Sequence, residues 1–533
     1  MRAAPRLDDV LAGARFLARL PAFLRRPVSV PEAEALVRRR LAEREAGFLE
    51  LLRHAVYPFP ESPYRQLLVH AGCGYVDVAR LVERDGLEGA LRVLYRNGVY
   101  LTVNELKGRC AVLRGSATIH ANPATLRNPV TAAHISTRSS GSRGRGTPVA
   151  IDLAFLREEA ISRTVTLAAR GGRDWRLAYW DVPGGTLSGI LAYAMGGTPP
   201  VRWFTPVDPA TPGLDPRYRW SARVMRWGGR LAGMALPAPR HVPVDDPLPI
   251  IQWMVKVLRT GGTPFLLTYS SPAVRLCRTA LDAGLSLTGA RLALDGEPVT
   301  AARVRVVRDA GAEAIPMYVT TESGRTAEGC LTPEAPDDVH LFHDLHALIQ
   351  PGTDGAAAGL PANALLLTSL RPTAPLVLVN ASLGDQAVVV ERACGCPLER
   401  FGWRTHLHTI RSHEKLTAGG MTFLDTDVIR VLEEVLPARF GGAPTDYQLV
   451  EGHAHDAQPI IRLLVHPALG PLDGDAVARV FLTAISAGSG AERIMGIVWR
   501  DAGLLRVERQ APLSTASGKI LHLHVEGEGE ASC

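Results

Sequence analysis

Short apolar runs alternate with amphipathic ones from Ile135 to Tyr318, and this alternation restricts the fold more than any other feature of the chain. Residues 177–180, 201–204, 264–268, 291–293 and 314–318 are runs too short for helices, each bounded by turn residues. Residues 247–259, 271–283 and 301–310 lie between them and carry helical spacing. Strands linked by helices pair in parallel, because a crossover long enough to contain a helix returns the chain to the same end of the sheet. The expectation is therefore α/β. Ahead of this region, residues 31–56, 64–81 and 86–97 read as helices, an all-helical lead-in over residues 1–100. Behind it lies a β-rich stretch at 365–370, 376–379 and 387–391. A helix at 426–436, strands at 447–450 and 460–465 and a helix at 473–487 then form a rhythm of their own. The predicted architecture is a large N-terminal domain of several subdomains with parallel-rich sheets, residues 1–410, and a small α+β C-terminal domain, residues 411–533.

A chain of 533 residues exceeds what one core supports, which agrees with that division. It contains no apolar run of 18 residues, so no membrane partner is expected. Residues 1–27 are rich in Arg, Ala and Leu, but Asp8 and Asp9 interrupt them and favour a surface helix over a targeting peptide. The formal charge of +6 is scattered among acids without a basic, aromatic-studded stripe. That excludes nucleic acid as the expected partner and suits a polyanionic small molecule. Seven cysteines, an odd number, argue against a disulfide framework and for a reducing cytoplasm.

Four stretches carry chemistry. The first is Ser139-Ser140-Gly141-Ser142-Arg143-Gly144-Arg145-Gly146-Thr147-Pro148. Its glycines let N–H groups converge, its hydroxyls donate and its guanidinium groups supply charge, as a phosphate requires. It lacks the Gly-Lys-Ser/Thr ending of a P-loop, and no nucleophile elbow occurs in the chain. The second is Tyr318-Val319-Thr320-Thr321-Glu322-Ser323-Gly324, where hydroxyls beside a carboxylate at a strand end suit phosphates and Mg²⁺. The third is Gly384-Asp385, an acid placed to accept from ribose hydroxyls. The fourth is Ser517-Gly518-Lys519. Of 59 basic residues only Lys107, Lys256, Lys415 and Lys519 are lysine, so a lysine here signals a need for a compact, flexible ammonium.

Together with Leu294-Asp295-Gly296-Glu297 and the segment from Arg411 to Gly420, these stretches resemble, in the same order, the adenylate-forming superfamily. The branch they are most similar to is that of phenylacetate–coenzyme A ligases and acyl-protein synthetases. The resemblance spans roughly residues 60 to 525. It implies that a carboxylic acid, aromatic in this branch, attacks ATP to give an acyl-adenylate and pyrophosphate. Coenzyme A then displaces AMP. A protein thiol, or a hydroxyl or amine of a second small molecule, is the alternative acceptor, and a non-catalytic nucleotide-binding relative is the other reading. By this resemblance Ser139, Ser140, Gly141, Ser142, Arg143, Gly144 and Arg145 would hold the phosphates. Gly296, Glu297, Tyr318, Thr320, Asp385 and Arg411 would complete the ATP site. Thr321 and Glu322 would serve the α-phosphate and Mg²⁺, and Lys519 would bridge carboxylate and phosphate. The C-terminal domain would be mobile, turning about residues 411–415 to withdraw Lys519. The sequence departs from the family at Arg143 and Arg145, and at His413-Glu414-Lys415 near the hinge.

Trp180, Tyr193, Tyr269 and Tyr318 are candidate walls for an aromatic acid. Cys330, His340, Cys394 and Cys396 make a candidate structural Zn²⁺ set of three thiolates and one imidazole, as in some relatives. His343 is a rival for the fourth place. His406 and His408 are explained by strand alternation and are left outside the set. A homodimer is left open.

Overall fold

The computed structural model describes residues 7–138, 147–208, 211, 216–413, 417–418, 421–422, 425–453, 459–487, 499 and 504–525. The lead-in is helical, in the order Leu7–Leu24, Val30–Ala42, Arg44–Ala55, Pro63–His70, Tyr75–Arg96 and Val103–Leu106. The single helix expected over 31–56 is two, because Glu43 leaves helical geometry and its N–H caps Arg39. Residues 75–96 run through Gly86, whose φ of 69° bends the element where two helices were expected. The expected surface helix is Leu7–Leu24, and it is anchored by buried Phe16, Leu20 and Leu24.

Twelve strands form one sheet: β1 (Arg176–Trp180), β2 (Arg202–Thr205), β3 (Pro239–His241), β4 (Pro264–Tyr269), β5 (Arg291–Asp295), β6 (Glu313–Thr320), β7 (Gly324–Gly329), β8 (Val339–Leu341), β9 (His346–Ile349), β10 (Ala364–Ser369), β11 (Ala381–Glu391) and β12 (Thr405–Ser412). Their order across the sheet is β9-β10-β11-β12-β8-β7-β6-β5-β4-β1-β2-β3. From β3 to β6 every pairing is parallel. From β6 to β9 every pairing is antiparallel. β6 joins the halves: residues 313–316 pair with β5, and residues 317–320 pair with β7.

The parallel half is covered on both faces, as such sheets must be. Leu177, Phe265, Leu267 and Ala293 pack toward Leu187, Ile190 and Leu191 of the helix Pro183–Met195. Ala178, Leu266, Leu292 and Leu294 pack the other way, with Ile250, Ile251 and Met254 of Leu248–Arg259. One expectation fails here. Residues 376–379 are buried but form only an isolated bridge between Leu376 and Arg127, because Asn380 takes a φ of 49° that interrupts any ladder.

A second sheet holds β13 (Tyr447–His453), β14 (Pro459–Val465), β15 (Leu505–Glu508) and β16 (Leu523–Val525), ordered β15-β14-β13-β16. Its own core includes Leu432, Leu449, Leu463 and Phe481. The α/β architecture with a smaller C-terminal α+β unit is therefore present. Arg411 and Ser412 still pair with Gln386 and Asp385 in the large sheet, so β12 runs two residues past the expected boundary at 410. No helix among the described residues is long and apolar enough to cross a membrane.

Candidate active site

In the parallel half the strand order reads β3-β2-β1-β4-β5-β6, so the chain winds outward in both directions from the β1/β4 junction. Loops leaving β1 and β4 diverge there and open a crevice at the carboxyl ends of the strands. Asp181 follows β1, Tyr269 ends β4, Asp295 ends β5 and Gly296 comes next. Lys519, from the C-terminal unit, reaches this point with its Nζ 4.0 Å from the Tyr269 ring centre. Its side chain is only 8% exposed. Gly296 makes room for it: a φ of 67° favours glycine, and a Cβ there would stand 2.6 Å from the ammonium.

The tip carrying Lys519 is tied at both ends. Gln448 donates to the carbonyls of Leu513 and Leu521, and its own oxygen accepts the Leu513 N–H. The Ile520 N–H, one residue past Lys519, donates to Ser271 Oγ at 3.2 Å and Glu297 Oε1 at 3.1 Å. Glu297 also accepts from the Ser271 N–H at 2.8 Å. This carboxylate therefore anchors the tip.

Burial and the adjacent Asp181 push the Asp295 carboxyl up to about 7, while Lys519 pulls in the opposite direction. Burial likewise raises Asp181, which is hydrogen-bonded to Tyr269. An ammonium facing two carboxylates of raised pKa is a charge arrangement typical of a working site. Asp181 was missed in the sequence, where a lone Asp after an apolar run reads as a turn, and Asp295 was noted within its stretch without a role.

A cleft beside Lys519 is bordered by Gly296, Glu297, Tyr318, Asp385 and Arg411 of the expected set. The Tyr318 hydroxyl donates to Asp385 Oδ2 at 2.9 Å, fixing that carboxylate at the wall. Arg411 Nη1 donates to Asp337 Oδ2 at 2.8 Å, and Asp337 also takes the N–H groups of Thr409 and Ile410. Thr409 sits at φ 52°, a strained value for a β-branched residue, just before the β12 residues Ile410, Arg411 and Ser412 that line the cleft. Asp337 has no motif around it and was also missed.

Thr320 ends β6, and Thr321 and Glu322 occupy the turn into β7. The Thr320 hydroxyl bonds within the turn to Ser323, at 2.7 Å. Glu322 is buried, and that desolvation raises its carboxyl, while the Thr147 hydroxyl and the charge of Lys107 favour ionisation. Ser139, Ser140, Gly141, Ser142, Arg143, Gly144 and Arg145 lie outside the described residues, as do Glu414 and Lys415. The hairpin strands Ile135–Arg138 and Pro148–Ile151 that flank the first group are paired, and Thr147 brings its end onto Glu322. Of the candidate walls, Trp180 and Tyr193 are core residues, whereas Tyr318 is half-buried at the cleft and Tyr269 half-buried beside Lys519.

On the antiparallel half, Cys330, His340, Cys394 and Cys396 come together. His340 Nε2 lies 3.2 Å from Cys396 Sγ and 3.7 Å from Cys394 Sγ. The Nδ1 of His340 is 2.6 Å from the Trp403 carbonyl, which leaves Nε2 as the lone-pair nitrogen facing the sulfurs. His406 joins the group: its ligand atom and those of Cys330, His340 and Cys394 lie within 4.8 Å of one another. Its Nδ1 meets Asp338 at 2.7 Å, and its buried Nε2 has no hydrogen-bond partner. Soft donors and an orphaned imidazole nitrogen in one buried place fit Zn²⁺. The rival His343 instead packs by Arg44 and Glu88, where burial lowers its imidazole to about 4.

No protein-family model matches the chain, and no curated protein matches it. Among solved structures, it is similar to a 2-hydroxyisobutyryl-CoA ligase in complex with 2-HIB-AMP and CoA in the thioesterification state. Identity is 15%, the TM-score is 0.44, and the match covers 92% of this chain and 90% of that one. It is also similar to the anthranilate CoA ligase AuaEII in complex with anthranoyl-AMP, with 12% identity, a TM-score of 0.43 and coverage of 77% and 68%. McyG A-PCP complexed with phenylalanyl-adenylate gives 12%, 0.41, and 76% and 67%.

Proposed function

We propose that this chain is an ATP-dependent carboxylic acid ligase of the adenylate-forming type. The acid's oxygen attacks the α-phosphorus of ATP and pyrophosphate leaves. The acyl group then passes to coenzyme A as AMP departs. The observation that carries this reading is the seat of Lys519. A lone lysine from a separate unit enters the crevice where a doubly wound sheet binds its ligand, beside a cleft walled by Tyr318 and Asp385.

In this reading the Lys519 ammonium stabilises charge as it moves from the carboxylate to the phosphate oxygens. Asp385, held by Tyr318, accepts from the ribose hydroxyls, and Arg411 closes the wall. Glu322 and Thr321 stand at the hairpin turn where Mg²⁺ would be held, and Mg²⁺ would supply charge neutralisation to the phosphates. The stretch from Ser139 to Arg145 would cradle the leaving pyrophosphate. The acid would be aromatic, lying along Tyr269. Zn²⁺ held by Cys330, Cys394, Cys396 and His340, with the unpaired His406 Nε2 beside them as a further donor, would be structural, cross-linking the antiparallel strands.

ATP–pyrophosphate exchange over a panel of aromatic and aliphatic acids tests the reading. Exchange should appear with at least one aromatic acid and fall by about 10²–10³-fold in Lys519→Ala. Transfer from supplied acyl-adenylate to coenzyme A should survive that substitution. Undiminished exchange in Lys519→Ala would falsify the role given to this residue.

A further inference from the structure

We infer that Arg303, Glu433 and His522 form a buried clasp between the two units that positions Lys519 for adenylation, a reading that rests on the function proposed above. Arg303 belongs to the helix Ala301–Asp309 of the large unit, packed beside β5. Glu433 lies in the π-helical segment Val431–Val435 of the C-terminal unit, and His522 stands three residues after Lys519. Glu433 Oε1 accepts from Arg303 Nε at 2.7 Å and from His522 Nε2 at 2.6 Å, and Thr300 donates its hydroxyl to Oε2. Arg303 Nη1 is also 3.4 Å from Glu297 Oε1, the carboxylate that holds the Ile520 N–H. The side chains of Arg303, Glu433 and Glu297 are each 1% exposed.

Two features make this cluster a positioning device rather than general glue. First, the tip from Leu513 to Leu521 is fixed within the C-terminal unit by Gln448, and β16 begins directly after His522. The place of the ammonium is therefore decided by how the two units dock. Second, the clasp is ionic. A buried ion pair gains little net free energy, because desolvation offsets most of the attraction, yet it tolerates only one geometry. When the units part, both partners recover hydration. Such a contact specifies a position and still releases it, whereas an apolar interface of the same area would adhere in several registers. A unit that must carry a lysine in for one half-reaction and out for the other needs that combination.

The test uses the full-length Glu433→Gln protein, which keeps the side-chain volume. Three quantities are read: ATP–pyrophosphate exchange, transfer from supplied acyl-adenylate to coenzyme A, and amide hydrogen exchange over 513–522. The expected result is at least a tenfold loss of adenylation, transfer within twofold of wild type, and faster amide exchange in the tip. Glu433→Asp should recover part of the adenylation. Amide exchange unchanged from wild type overturns the clasp, and a parallel fall of both half-reactions overturns the positioning role. If the wild-type protein adenylates no acid, the proposed function fails, while the amide readout still decides whether the clasp holds the tip.

Discussion

At Gly296 the backbone sits at φ 67°, and a Cβ there would come within 2.6 Å of the Lys519 ammonium and 2.7 Å of the Tyr269 ring. Gly296→Ala should therefore cost about 1–2 kcal/mol from the left-handed backbone alone. It should also lower adenylation beyond what the loss of stability explains, seen by comparing exchange rates with urea midpoints. Asp295 makes a pH prediction. Burial and Asp181 raise its carboxyl to about 7, against the pull of Lys519, Arg325 and Arg163. The native state thus keeps a proton that the unfolded chain releases at about pH 4, so this group's contribution to stability declines as pH rises from about 4 to 7. Ionised Asp295 grips the ammonium more strongly, so adenylation should climb through pH 7, and Asp295→Asn should flatten that limb of the rate profile. At this scale Lys519 was legible because lysine is scarce in the chain. Asp181 and Asp337 were not, since a solitary acid has no signature until its neighbours surround it, and Asp295 stood in a recognised stretch without a role of its own.

The β8–β12 pairing sets His340 opposite His406 in register, with ring centres 4.1 Å apart. Cys330 follows β7, and the Cys394–Cys396 turn follows β11, so two separate strand ends deliver the three sulfurs. Metal analysis should find about one zinc per chain. A Cys394→Ser/Cys396→Ser protein should lose it and melt lower, since a closed zinc site contributes directly to folding. Zinc well below one per wild-type chain would remove this reading. The cysteine set could be picked out from the sequence because Cys-x-Cys is rare. His406 could not, because alternation on a strand accounts for it until the register is known. Residues 376–379 show the converse limit: an apolar run of strand composition fills the core as an irregular segment, because the turn at Asn380 prevents pairing.

Between the two units, charge is fully buried at the clasp and only partly buried at Arg278 and Asp446, which meet at 2.9 Å. Burial opposes ionisation of Glu433, but Arg303 and then His522 hold its carboxyl down to about 2. Burial also lowers the His522 imidazole. Both shifts have the same sign. The depressed carboxyl stabilises above its ordinary value of 4.5 and loses that contribution as pH falls toward 2, and the depressed imidazole loses its own below the ordinary histidine range. Acid should therefore loosen the docking first, with amide protection at 513–522 falling as pH drops below about 6.5, ahead of the large unit's core. Glu433→Gln should weaken that dependence. The sequence alone determined the elements, because hydrophobic period and turn residues act over a few positions, and through them the α/β class, the separate C-terminal unit and the lysine to watch. Tertiary structure alone decided that the β1/β4 junction meets Lys519, that His406 joins the cysteines, and that Arg303, Glu433 and His522 share one buried place. Those facts depend on contacts between residues far apart in the chain, 249 positions in the case of Ser271 and Ile520, and no local pattern encodes them.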